Sequence, residues 1–399
     1  MNENIKFAVS HPTGNTFVRA LLQELQKNGN LSNYFTTIGF GNGFKMCSNY
    51  LIRRSYPIPD DKITRQWLNE CIRLLFPSKE KTKQKLTDKS YICLDKKVSK
   101  IIANREIKIL HAYEDVAYHS FSRAKQNGIH CSYELPIAYW KTVRRLLSEE
   151  AERYPQWEPT LGSTREPEEK LIRKESEIKL ADCITCPSKF VLDSIPIEIR
   201  QNKKCIIAPF GSPNCEQINF QISKNSIKTF KLLFVGSMSQ RKGLADLFMA
   251  MKLLSKEPVS LSILGQPSMP MEFYKQKYSN FKYFPACSNK MVREIMKAHD
   301  ALVLPSIVEG RALVQQEALS CGIPIIITPN TGGEDLVING ITGHIVPIRS
   351  PEKIAEKIIA LIESKTPKVE VAENCQKKAK AYLWGAYAKK IINCNLYED

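Results

Sequence analysis

Ala301-Leu-Val-Leu-Pro305, then Glu309-Gly-Arg-Ala-Leu-Val-Gln-Gln-Glu317, then Gly322-Ile-Pro324 is the stretch on which the fold turns. The first piece is a short apolar run closed by a proline, the pattern of a buried strand. The second opens on a glycine-containing loop and continues as a helix-like run. Glycine and proline at 322–324 stop that helix, and a further apolar run follows at 324–327. Strand, loop, helix and strand in succession are one unit of a parallel sheet. Glu309 and Glu317 stand eight positions apart, a little over two helical turns. With a helix beginning near Ala312, Glu309 lies on the loop at its N-terminus and Glu317 inside it. A ligand lying along that end meets both.

The same alternation extends in both directions. Residues 4–10 read as a strand and 15–27 as a helix, with Phe17, Val18, Leu21, Leu22 and Leu25 at helical spacing. Further strands are expected at 34–38, 107–111, 128–132 and 181–187, with helices at 62–76, 136–153 and 166–180. Pro209-Phe-Gly-Ser-Pro-Asn214 and the polar stretch to Thr229 read as a linker. A second series has strands at 231–236, 259–264, 301–304, 324–327 and 344–347. Its helices fall at 242–255, 289–298, 312–321 and 351–363. The expected fold class is α/β: two doubly wound, Rossmann-like domains facing a cleft, residues 1–208 and 209–382. Ligands of such sheets sit beyond the strands' carboxyl ends.

Composition bounds the function. The 399 residues exceed one ordinary core, and no apolar run reaches the length of a membrane span. Met1-Asn-Glu-Asn-Ile-Lys6 leads directly into a strand, so no signal peptide is expected. The twelve cysteines are scattered. Only Cys183-Ile-Thr-Cys186 has metal or redox spacing, and it sits in a strand-like run, so buried reduced thiols in a cytoplasmic protein are expected. The net charge of +17 favours an anionic partner. No nucleic-acid motif accompanies it, so no nucleic acid is expected. The lysines of 79–85 and Lys96-Lys97 read as loops, either solvated or attracted to an anionic membrane face. Trp67, Leu68, Ile72, Leu75 and Phe76 share one face of the expected helix 62–76, which suits core packing or peripheral membrane contact.

A helix N-terminus attracts phosphate through free N–H groups and its dipole. Carboxylates there serve instead as acceptors for hydroxyls. Phosphate plus hydroxyls describes a nucleotide-diphosphate sugar. Gly236-Ser-Met-Ser-Gln-Arg-Lys-Gly243 adds fixed cations: it is Gly-flanked, follows a strand and precedes a helix, and Arg241 and Lys242 form a candidate diphosphate clamp. Ordinary surface basics at a helix start are the plainer reading.

The joint pattern resembles the family 4 retaining glycosyltransferases. It is carried by Leu233-Phe-Val-Gly236, Gln240-Arg-Lys-Gly243, Asp300-Ala-Leu-Val-Leu-Pro-Ser306, Glu309, Glu317-Ala-Leu-Ser-Cys-Gly-Ile-Pro324, Thr331-Gly-Gly-Glu-Asp-Leu-Val337 and Asn339-Gly-Ile-Thr-Gly343, in family order. The resemblance implies a GT-B fold whose last helix, about 383–399, crosses back to the first domain, with Leu383-Trp-Gly-Ala-Tyr-Ala388 as the crossing segment. It implies that Glu309 holds donor-sugar hydroxyls and Glu317 ribose hydroxyls. The backbone at Ala312, Leu313, Val314 and Gly236 would face phosphate or sugar. His111, at a strand end entering a loop, resembles the family's active-site histidine. Thr13, Gly14 and Asn15 form the first cleft loop, where Gly14 permits close approach of donor phosphate or acceptor, and Asn15 and Glu114 fall on the acceptor side. His119 and His130 read as structural.

Relatives often carry an arginine after the glycine where this chain has Ser237, so one phosphate contact is lost or moved. The role of Arg311 stays open. Tyr133-Glu-Leu-Pro-Ile-Ala-Tyr-Trp140 and Glu158-Pro-Thr-Leu-Gly-Ser163 read as loops facing the cleft or acceptor, where aromatics beside a proline either stack on a sugar or pack. Retention at the anomeric carbon, by same-face displacement, is implied by the resemblance alone. No metal and no cofactor are expected, because Arg and Lys hold the diphosphate. The acceptor would be a sugar, a lipid-linked or a small molecule. Competing readings are an epimerase or phosphorylase of the same architecture, and a basic membrane- or nucleic-acid-binding protein on a transferase scaffold. A nicotinamide enzyme would want Gly-x-Gly-x-x-Gly after its first strand, which Ser10-His-Pro-Thr-Gly-Asn15 does not supply.

Overall fold

A computed structural model describes residues 5–43, 54–75, 80–103, 106–162, 166–215 and 229–396. Two parallel sheets organise them. The first has the order β3-β2-β1-β4-β5-β6-β7, with β1 Phe7–Ser10, β2 Leu31–Thr36, β3 Ile63–Arg65, β4 Ile109–Tyr113, β5 His130–Glu134, β6 Cys183–Cys186 and β7 Lys204–Ile207. The second runs β10-β9-β8-β11-β12-β13, with β8 Phe230–Val235, β9 Val259–Leu264, β10 Phe281–Phe284, β11 Ala301–Leu304, β12 Ile325–Ile327 and β13 Gly343–Ile345. The central strands are buried on both faces, which is why they read as unbroken apolar runs.

Strand order reverses between β1 and β4 and between β8 and β11. At such a reversal the loops leaving the two strands diverge to opposite faces and open a crevice. The four loops concerned are 11–15, 114–117, 236–243 and 305–312. They hold most of the residues that the sequence marks for chemistry.

The helix Trp384–Leu396 returns to the first sheet, where Tyr387, Ala388, Ile391 and Ile392 share a core with Phe7, Val9, Phe17 and Leu21. A separate apolar cluster joins the domains: Val143, Leu146 and Leu147 from the helix Trp140–Arg153 meet Ile307 and Val308. Trp157, though it follows that helix, is buried in the core of the second sheet against Phe248, Phe273 and Tyr274.

Several expectations need correction. The lysine-rich stretch read as loop is a helix, Glu80–Ile102; Lys79 lies outside the described residues. Leu94, Val98 and Ile102, one turn apart, bury one stripe while Lys83, Lys85, Lys89, Lys96 and Lys100 stay exposed, so the charges masked the period. The expected helix 62–76 divides into a turn at Asp60–Lys62, the strand β3 and a helix Trp67–Leu75, with Phe76 outside the described residues. Its apolar residues do not pack into a core: Trp67 and Leu75 are 58% and 75% exposed, and the buried side chain is Glu70, paired with Arg54 and Arg73. The strands β3, β7 and β10 and the helices Tyr118–Gln126, Lys189–Ser194, Met271–Lys277 and Lys368–Lys380 went unread. Most of the linker, residues 216–228, lies outside the described residues. Cys183 and Cys186 are three apart in a strand, which turns their side chains to opposite faces and rules out a shared metal or disulfide.

Candidate active site between the two sheets

Gly243 shapes the second-domain half of the site. Its φ is +73°, and a Cβ there would sit 2.0 Å from the Pro305 carbonyl oxygen, so the loop 236–243 nests on the end of β11. Contact continues through the backbone: the Arg241 carbonyl accepts from Ile307 N–H at 2.9 Å, and Arg241 Nη1 donates to Val308 O at 3.3 Å. The two loops are thereby locked together, and the Arg241 and Lys242 side chains converge on Glu309. Lys242 Nζ is 2.7 Å and Arg241 Nη1 2.9 Å from the same oxygen, Glu309 Oε1. Both approach off the hydrogen-bonding directions of that oxygen, so they are ion pairs with hydrogen-bonding capacity to spare.

Burial would raise the Glu309 pKa, but the charges of Lys242 and Arg241 outweigh it and hold the carboxyl below its usual range. Burial pulls the Lys242 ammonium down, against the attraction of Glu309. Two cations facing one carboxylate leave an excess of positive charge at a nearly dry position. That is the electrostatic demand for a further anion.

Arg311 belongs to the scaffold. Its guanidinium makes a bidentate pair with Asp335 at 2.7 and 3.1 Å and donates to Gly332 O and Gln316 Oε1. Gly310 presses against the first domain: a Cβ there would lie 1.7 Å from the Pro136 carbonyl oxygen. Ser188 Oγ also donates to Gly310 O at 2.6 Å. The Glu309 loop is therefore wedged between both domains.

Glu317 lies within the helix Leu313–Ser320, half-buried, its pKa raised by burial against the pull of Arg293. Ala312 caps that helix, and its N–H donates to Thr331 O at 3.3 Å. Leu313 packs on the first-domain core and Val314 on the second-domain core. Gly236 ends β8 at φ +149°, with Lys242 Cε 3.3 Å from where its Cβ would be. Ser237 Oγ faces Ser239 Oγ at 3.2 Å and brings no charge.

On the first-domain side, Gly14 and Asn15 follow β1, and the Asn15 side chain does not cap the helix it starts. Glu114, at the end of β4, is buried 3.6 Å from Lys174 Nζ, and burial raises its pKa to about 7. His111 differs from expectation. It lies in the middle of β4 rather than at its end, with Nδ1 2.9 Å from Ser132 Oγ and Nε2 3.3 Å from Glu134 Oε2. Glu134 in turn accepts from Tyr387 OH at 2.5 Å. Both ring nitrogens are engaged inside the sheet, so His111 ties β4, β5 and the returning helix together. His130 likewise meets Asn395 at 3.1 Å, and Asp95 accepts from the backbone of His119. Tyr133, Tyr139 and Trp157 are buried and pack; Ser163, at the end of the second of these loops, lies outside the described residues.

His11 was missed. Its Nδ1 accepts from Thr13 N–H at 3.1 Å, burial lowers its pKa to about 3, and its buried Nε2 has no partner among the described residues. Its position at the carboxyl end of β1 was the available signal. A cavity of about 330 Å³ opens between the domains, walled by Lys83, Thr87, Glu166 and Lys170 on one side and by Ser237 and Arg241 on the other.

Residues 216–382 match the family described as Glycosyl transferases group 1. The match covers most of the second-domain half of the chain and places its similarity among glycosyltransferases. Similar curated proteins include several glycosyltransferases. An uncharacterized glycosyltransferase of Methanocaldococcus jannaschii is 25% identical over 208 residues, 51% of this chain and 56% of the relative. The capsular polysaccharide biosynthesis glycosyltransferase CapM of Staphylococcus aureus is 27% identical over 227 residues, 52% of this chain and 59% of the relative. The chain spans about half the length of the curated relatives it matches. In fold it is similar to a sucrose-phosphate synthase from Thermosynechococcus elongatus, with a TM-score of 0.68 over 98% of each chain at 17% identity. The fold is GT-B: two parallel-sheet α/β domains.

Proposed function

We propose that this chain is a retaining glycosyltransferase that moves a sugar from a nucleotide-diphosphate donor to an acceptor hydroxyl without a metal ion. The observation that carries the reading is the convergence of Arg241 and Lys242 on buried Glu309, on a loop pair between two sheets. With donor present, the two cations turn to the diphosphate, and Glu309 accepts from the hydroxyls of the sugar. Glu317 serves the ribose hydroxyls. The acceptor O–H attacks the anomeric carbon as the bond from that carbon to phosphate breaks. The proton passes to the departing phosphate oxygen on the same face, and Arg241 and Lys242 stabilise the charge that develops there. Asn15 and Glu114 border the acceptor side, and Gly14 leaves room for the donor.

A panel of nucleotide sugars tests the reading by thermal stabilisation and slow donor hydrolysis. A donor at 100 times its dissociation constant adds about 2.7 kcal/mol to the state that binds it. If no donor stabilises the protein and none is hydrolysed, the reading falls.

Peripheral contact with an anionic membrane is a second proposal, favoured by the exposed Trp67 and Leu75 and by the net charge of +17. Sedimentation with anionic and neutral liposomes tests it. Negligible binding to both would leave a soluble acceptor as the better proposal.

A further inference from the structure

The residue before the cation pair, Gln240, is fully buried and bonded at every polar atom of its side chain. Its Nε2 donates to Glu150 Oε2 at 2.6 Å and to Asp246 Oδ2 at 2.8 Å, and its Oε1 accepts from Ala245 N–H at 2.8 Å. Its own N–H donates to Thr160 Oγ1 at 3.1 Å. Asp246 and Ala245 belong to the second domain. Glu150 and Thr160 come from the segment that leaves the first sheet. We infer that Glu150 positions Arg241 and Lys242 through Gln240, so that the pair takes its working geometry only while the two domains are docked. This inference rests on the glycosyl-transfer reading of the site.

The neighbours of Glu150 support a role in aiming the loop. Glu150 is fully buried, ion-paired with Arg349 Nε and 3.8 Å from Arg153 Nη1. Arg153 Nη1 also bonds Asp246 Oδ1 at 2.7 Å, and Tyr154 OH meets the same oxygen at 3.2 Å. Arg349 holds a φ of +61°, a left-handed conformation unfavourable to any residue with a Cβ, and from there it reaches Glu150, Glu149 and Leu146 O. Apolar contact between Val143, Leu146, Leu147, Ile307 and Val308 would suffice to glue the domains. Gluing does not require a buried, fully satisfied polar network. Directional bonds do fix a backbone in one orientation. Because the Arg241 carbonyl accepts from Ile307 N–H, a tilt at Gln240 also passes to the loop bearing Glu309. Both partners of the Lys242–Glu309 contact therefore depend on a carboxylate that touches neither.

Steady-state kinetics at saturating donor, in a double-mutant cycle with Arg241→Ala, tests the inference. Gln240→Met keeps the volume and removes the bonds. It is expected to lower kcat at least about 10-fold, since a displacement of about 1 Å costs on that order or more. In the Arg241→Ala background it should cost less than in the wild type, because only the aim of Lys242 is left to lose, the non-additivity of residues acting through one another. Glu150→Gln retains an acceptor oxygen for Gln240 and should keep most of the turnover that Glu150→Leu loses. Equal losses in both backgrounds, or wild-type kcat in Gln240→Met, would overturn the inference. Should Gln240→Met fail to melt cooperatively, the Glu150 pair decides, and equal turnover of Glu150→Gln and Glu150→Leu overturns it. A wild-type protein inert toward every donor would overturn the glycosyl-transfer reading itself. Turnover in the wild type with no effect at Gln240 or Glu150 would overturn only this inference.

Discussion

Lys242 and Glu309 meet at 2.7 Å across two loops that leave the second sheet on either side of its reversal in strand order. The loop 236–243 carries no acid, and Arg311, the cation on the loop of Glu309, is taken by Asp335. The strands place the ammonium and the carboxylate together, and Arg241 closes on the same oxygen. A ligand entering here exchanges contacts with an existing, preorganised set of charges.

The cations should matter in proportion to their charge. Arg241→Ala is expected to lower turnover by about 10²–10³, the scale of removing one preorganised donor from a developing anion. Lys242→Ala should do at least as much, and Ser237→Ala far less, because the Ser237 hydroxyl carries no charge. Turnover of the three variants at saturating donor checks this. A mild Arg241→Ala beside a severe Ser237→Ala would put the clamp on the wrong side of the loop.

Glu309 and Glu317 should separate kinetically. Glu309→Gln should mainly lower kcat, since it faces the sugar whose charge changes. Glu317→Ala should mainly raise the donor KM, since ribose contacts are alike in ground and transition states. Near-wild-type values for both variants would contradict these roles.

The alternation of strand and helix, the reversal-point loops and the Glu309, Arg241 and Lys242 positions were legible because each is local: apolar runs, glycines at turns, charges next to them in sequence. The helix Glu80–Ile102 was not, because its lysines outnumber the apolar stripe of Leu94, Val98 and Ile102. Nor was the depth of His111, since a strand boundary shifted by two residues moves a side chain from loop to sheet interior. The bond from Glu150 to Gln240 has no local trace, because it exists only once two domains dock.

Gly310 tests that docking directly. A methyl group there would fall 1.7 Å from the Pro136 carbonyl, so Gly310→Ala must part the Glu309 loop from the first domain. Turnover should fall at least about 10-fold, on the scale of a 1 Å misplacement near the chemistry. Unchanged turnover, measured beside the melting temperature, would show that the loop yields freely.

Glu114 should impose a pH dependence on stability. Its folded pKa, raised by burial to about 7, exceeds the ordinary carboxyl value, so between the two the folded state holds the extra proton. Stability is therefore expected to fall as pH rises from the ordinary carboxyl range through about 7. Glu114→Gln removes that charge while Lys174 keeps Glu166 and Asp115 at 3.4 and 4.0 Å. The variant's melting temperature relative to wild type should climb across that window. A difference independent of pH would contradict the assignment.

The most direct measurement of the central claim is release of nucleoside diphosphate from a panel of nucleotide sugars, by wild type and by Lys242→Ala, alongside their melting temperatures. One donor should raise the wild-type melting temperature and be slowly cleaved, and Lys242→Ala should lose both effects while remaining folded. A folded wild-type protein that neither binds nor cleaves any donor, or a Lys242→Ala variant that does both as well as wild type, would contradict it.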